Sequence, residues 1–113
     1  MVEIITEQHG DVHTIMIVGE FYLESVEYAE QVWNEISDQS PRAIGINCSK
    51  IKYIDSSAIG VLVKFLNIAM KNNIDLLFFD LSDAVVSVFK TAKLGNFFKT
   101  MSKNQFELEY ITP

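Results

Sequence analysis

Between Ala58 and Met70 nearly every residue is apolar, and the exceptions fall on one line: Gly60, Lys64 and Asn67, which Lys71 continues. Such spacings return to one side of a helix, so the pattern predicts a helix running to about Asn72 with its other sides buried. Ser57 lies on the same line in the first turn, and Asp55 and Ser56 are candidates for the N-cap. On this reading Ser57 opens the one solvent-facing stripe of a core helix and is the reachable hydroxyl, with Ser56 turned roughly 100° away.

The rest of the chain alternates strands with helices. Val2 to Gln8 and Val12 to Val18 read as strands joined across His9-Gly10-Asp11, a hairpin connection. From about Leu23 to Ser37, Val26, Ala29, Val32, Trp33 and Ile36 recur at helical spacing, and Glu24, Glu27 and Glu30 suit the positive end of that helix dipole. Asp38 to Pro41 ends the helix, Ala43 to Cys48 reads as a strand covered on both faces, and Ser49 to Ile54 as a loop delivering Asp55. Ile74 to Phe79 is a second buried strand. Ser82 caps a short helix through Ala92, with Val85, Phe89 and Ala92 inward and Gly95 as the C-cap. Asn96 to Gln105 is irregular, and the alternation of Phe106, Leu108 and Tyr110 with Glu107 and Glu109 predicts an edge strand.

The order β-β-α-β-α-β-α-β predicts one α/β domain over residues 1–113. Its mixed sheet of four to five strands combines an antiparallel hairpin with right-handed parallel crossovers, and helices pack on it. Sites in such folds gather beyond the carboxyl ends of the parallel strands, where Asp55 to Ser57 emerges.

Composition narrows the chemistry. A chain of 113 residues with 49% hydrophobic content can build a core without metal or disulfides, and the single cysteine, Cys48, sits in an apolar run as a small core residue. A formal net charge of −6 argues against direct nucleic-acid binding and against anionic membranes. No targeting or spanning segment is evident, so a soluble cytoplasmic protein is expected. His9 and His13 lack a third ligand and read as exposed hairpin residues rather than a metal site. No nucleophilic triad, GxxxxGK loop or cysteine pair is present, so neither catalysis nor a cofactor is expected. What remains is a hydroxyl at a helix N-terminus, a place that favours a phosphate group.

These residues resemble the STAS domains, and within them the single-domain anti-sigma factor antagonists. The resemblance spans the chain. It rests on Gly19-Glu20-Phe21, on Ile54-Asp55-Ser56-Ser57-Ala58-Ile59-Gly60, and on Ala84-Val85 through Phe89 with Leu94-Gly95. It implies that the second serine of the block, Ser57, is phosphorylated by a partner that is both serine kinase and anti-sigma factor, with a phosphatase as a further candidate partner. The expected partner-facing set is Tyr22, Asp55, Ser56, Ser57, Ala58, Gly60 and Lys64. Two positions depart from the family pattern: Ala58 stands where glycine is commonest, and Tyr22 where many members carry an acid.

Competing readings are a structural STAS subunit of a transporter or signalling assembly, and a small hydrolase using Ser56 or Ser57. Plain helix capping explains Asp55 but not two serines above a polar stripe. An ordinary solvated face explains Lys64, Asn67 and Lys71 as well as a partner surface does.

Overall fold

The computed structural model describes residues 2–112. Strands β1 (Val2–His9) and β2 (Val12–Phe21) form an antiparallel hairpin turned at Gly10, whose φ of 66° suits a residue without Cβ. β2 is the hub of the sheet. Its first half pairs in parallel with β3 (Ala43–Asn47), and its second half pairs in parallel with β4 (Ile51–Ile54). Beyond β3 lie β5 (Asp75–Phe79) and β6 (Lys99–Met101), both parallel, so the order is β1-β2-β3-β5-β6 with β4 on β2.

The sheet is mixed, as expected, but it has six strands rather than four to five. The extra one is β4, which occupies the segment read as a loop. Ile51 and Ile54 are buried while Lys52 and Tyr53 face outward, so the four-residue strand has no period-two alternation to reveal it. Gly19, at φ 105°, lets β2 shift register there and donates its N–H to the Lys50 carbonyl at 2.9 Å.

The expected C-terminal strand is also corrected. Lys99–Met101 takes the sheet edge instead, and the chain then turns helical in α4 (Lys103–Phe106), continuing as a π-type turn over Glu107–Ile111. The Ser102 hydroxyl caps this helix by accepting from the Gln105 N–H at 3.1 Å. Phe106 is buried, but Leu108 is 71% exposed, so the alternation in the sequence does not mark a buried face.

Three helices cover one face of the sheet: α1 (Val26–Ser37), preceded by a 3₁₀ turn at Leu23–Ser25, α2 (Ser56–Lys71) and α3 (Asp83–Thr91). α1 buries Ala29, Trp33 and Ile36, while α2 buries Ala58, Val61, Leu62, Phe65 and Ala69. Trp33 and Phe65 stack with ring centroids 4.4 Å apart, worth about 0.5–1.5 kcal/mol beyond burial. Cys48 lies fully buried in this core, and burial pushes its thiol pKa well up, which leaves it an unreactive packing residue.

The end of α3 differs from expectation as well. Lys93, at φ 58°, takes the left-handed position assigned to Gly95, and Leu94 N–H closes the turn on the Phe89 carbonyl at 2.8 Å.

The opposite face carries a smaller core of Val12, Ala43, Leu77, Phe79 and Phe106. Gly45 makes this cover possible. A Cβ there would stand 2.5 Å from Phe106 Cζ, so only glycine lets the ring lie against β3, where it stacks on Phe79 at 4.6 Å.

Candidate functional site: the N-terminus of α2

β2 and β4 run in parallel and end side by side, with Phe21 opposite Ile54 and both buried. The Asp55 N–H donates to the Phe21 carbonyl at 3.3 Å, so the segments leaving both strands emerge together. Leu23 thereby meets Asp55, although the two stretches are distant in sequence.

Asp55 is extended, with ψ −179°, and it caps α2. One carboxylate oxygen accepts from the Ala58 N–H at 3.0 Å, and the other accepts from the Leu23 N–H at 3.3 Å. The cap therefore also ties down the turn that follows β2. Helix geometry leaves the Ser56 and Ser57 N–H groups without intrahelical partners, at the positive end of a 16-residue helix.

The two serines are both at the surface, but exposure does not single out Ser57. Ser56 is exposed and Ser57 is half-buried. The reason lies on the helix line they were read from. Lys64, seven residues below Ser57, reaches across to Glu30 of α1 with Nζ to Oε2 at 2.5 Å, so this line borders α1 instead of facing solvent squarely. Gly60 is exposed with open space where a Cβ would stand, and Asn67 and Lys71 are also exposed. Ala58 is fully buried beneath the helix and its N–H is occupied by Asp55, which removes it from the accessible surface of the set.

Tyr22 is half-buried beside the site, and its hydroxyl donates to Glu24 at 3.3 Å. The negative charge of Glu24 holds the phenol pKa above its ordinary value, so Tyr22 remains a neutral donor. Two large apolar side chains outside the expected partner-facing set are exposed on these segments: Leu23 is 67% exposed and Tyr53 is 51% exposed. Their signal was faint. Leu23 stands outside the apolar stripe of α1, and Tyr53 immediately precedes the Ile-Asp-Ser-Ser block. Large apolar groups flanking polar ones are typical of the central part of a protein interface.

The histidines do not form a second site. His9 is exposed, but His13 is buried, against the expectation that both were exposed. His9 pairs with Val12 and His13 with Gln8, so the two imidazoles stand on opposite faces of the hairpin. Among the described residues no group of three His, Cys, Asp or Glu side chains could hold a metal, and no helix is long and apolar enough to cross a membrane.

The fold and the site define an α/β domain with a mixed sheet, whose candidate interaction point is a helix N-terminus at the carboxyl ends of two strands. Residues 3–106 match the STAS domain model, and the chain belongs to that family. Solved structures of the same fold include an anti-sigma factor antagonist from Mycobacterium paratuberculosis, at 17% identity and a TM-score of 0.86, with 98% of this chain and 94% of that one covered. The anti-sigma factor antagonist SpoIIAA in its unphosphorylated form aligns at 19% identity and a TM-score of 0.75, over 98% of this chain and 100% of that one. The phosphorylated form of SpoIIAA, a Bacillus cell fate determinant, aligns at 15% identity and a TM-score of 0.71, over 96% of this chain and 98% of that one.

Proposed function

We propose that this domain is an anti-sigma factor antagonist: a non-catalytic binding module of the cytoplasm that engages an anti-sigma factor with serine kinase activity and is released when Ser57 is phosphorylated. It would regulate transcription through that partner, without touching nucleic acid itself. The observation that carries the reading is the capped N-terminus of α2, which carries Ser56 and Ser57 and is tied through Asp55 to the turn at exposed Leu23. Support also comes from solved relatives of the fold that are named as anti-sigma factor antagonists, one of them in both phosphorylation states.

A phosphate on Ser57 gains from the helix dipole and the unpartnered first-turn N–H groups. It also adds up to two negative charges to a chain already at −6. Like charges brought together at an interface cost several kcal/mol, and about 3 kcal/mol is roughly a hundredfold in affinity. Calorimetry with the partner kinase in both phosphorylation states tests this. Affinity should fall at least tenfold on phosphorylation, and equal affinity would favour a static STAS subunit of a larger assembly.

A further inference from the structure

β1 ends the sheet: among the described residues β2 is its one neighbouring strand, and every residue from Ile5 to His9 is exposed. The strand at the other end, β6, is three residues long, whereas β1 has eight, with neither proline nor lysine to block a further strand. Which backbone groups face the free edge follows from β2. The Gly19 N–H donates to Lys50 and the Asp11 carbonyl accepts from the Arg42 N–H, so the odd positions along this strand bond away from β1 and the even ones bond towards it. Val12, Thr14, Met16 and Val18 stand opposite His9, Glu7, Ile5 and Glu3, and these pairs exchange the hydrogen bonds of the hairpin. Ile4, Thr6 and Gln8 therefore present their N–H and C=O groups outward, and such an unpaired row is a template for another strand.

We infer that β1 pairs antiparallel with β1 of a second copy of this chain, about a two-fold axis at Thr6. In that register Thr6 stands opposite Thr6 and Ile4 opposite Gln8, all of them residues whose backbone groups point outward. The charges select this register over its neighbours. Glu3 faces His9 of the second copy, Ile5 faces Glu7, and no like charges are directly opposed. An axis at Ile5 would set Glu3 against Glu7 twice, and an axis at Glu7 would set that residue against itself, and like charges directly opposite destabilise a sheet. An axis at Ile4 or Gln8 shortens the ladder. With the axis at Thr6, Ile5, which is 40% exposed in the single chain, lies diagonally across from Ile5 of the second copy and within its reach. The same surface serves both copies, as closed two-fold pairing requires. Because the two β2 strands then run in opposite directions, the two α2 N-termini point to opposite ends of the shared sheet, and the pairing leaves both free.

Sedimentation velocity and amide hydrogen exchange on the full chain, from micromolar to millimolar concentration, test the pairing. A dimer should form as concentration rises, and the Ile4, Thr6 and Gln8 N–H groups should gain protection with it, whereas those of Glu3, Ile5 and Glu7 are protected at every concentration. Thr6→Pro removes an outward N–H that β2 does not use, so it should give a monomer with a native spectrum. His9→Glu, at an exposed position, opposes carboxylates at both ends of the ladder and should weaken the dimer about fivefold or more. Adding Glu3→Lys to His9→Glu restores opposite charges and should return the affinity; this rescue decides the register if Thr6→Pro does not fold. A monomer at every concentration, protection gained only at other amides, a dimer indifferent to His9→Glu, or failure of the rescue would overturn the proposal. The kinase takes no part in these measurements, so their outcome is independent of the serine switch.

Discussion

The Asp55 carboxylate accepts a hydrogen bond from the Leu23 N–H at 3.3 Å, joining two segments 32 residues apart in the chain. Its other oxygen caps α2 at Ala58, so a single side chain sets both the helix N-terminus and the turn that presents Leu23. Asp55→Ala is expected to cost about 0.5–2 kcal/mol from the lost cap alone, read by chemical denaturation. Partner affinity should fall by more than stability predicts, because the Leu23 turn is released as well. Asp55→Asn keeps an acceptor oxygen and should recover most of the stability.

Gly45→Ala tests the packing of the C-terminal cover. The added Cβ would meet Phe106 Cζ at 2.5 Å and Cε1 at 2.6 Å, and overpacking of this kind typically costs about 1–3 kcal/mol. Phe106→Leu makes room at the same contact. The double variant should therefore be less destabilised than the sum of the two single changes, and strict additivity would show that the ring does not rest on Gly45.

His13 gives the fold a pH dependence. It is 5% exposed, and burial holds its pKa below the ordinary 6.5. Above that value the imidazole is neutral in both folded and unfolded states, and the stability is fully present. As pH falls through 6.5 the unfolded chain takes up a proton first, so stability declines until the folded imidazole is protonated too. The melting temperature should drop between about pH 7.5 and pH 5.5, and the drop should be smaller in His13→Leu. An equal drop in both proteins would assign the dependence to other groups.

Much of this architecture was legible in the sequence, and the failures have identifiable causes. α2 was readable because its buried positions repeat over many turns, and Asp55 because N-cap chemistry is local. β4 was not, since its four residues owe their strand geometry to pairing with β2 across the Gly19 register shift, not to their own alternation. The C-terminal segment alternates like a strand but is held helical by the Ser102 cap and by the seat for Phe106 on Gly45, a contact invisible from either stretch alone. At the candidate site, Asp55 to Gly60 is contiguous and so reads as one block in the sequence. The approach of Leu23 to it follows from the parallel β2-β4 pairing, and Ser57 is less exposed than its helix line implied because Lys64 joins that line to α1.

Gly60 and Lys64 separate docking from stability. An exposed helical glycine costs about 1 kcal/mol relative to alanine, and a side chain at Gly60 meets nothing within 4 Å. Gly60→Arg should therefore melt at or above the parent temperature while losing partner binding and Ser57 phosphorylation together. Lys64→Glu breaks the surface pair with Glu30, worth about 0.2–1 kcal/mol, and should weaken binding less than Gly60→Arg does. Unchanged binding in Gly60→Arg would remove this side of α2 from the interface.

The most direct measurement is site mapping by mass spectrometry after incubating the protein with its partner kinase and ATP. A single phosphate is expected on Ser57, absent from Ser57→Ala and retained in Ser56→Ala. Phosphate on Ser56, the more exposed of the two hydroxyls, or label persisting in Ser57→Ala, would contradict it.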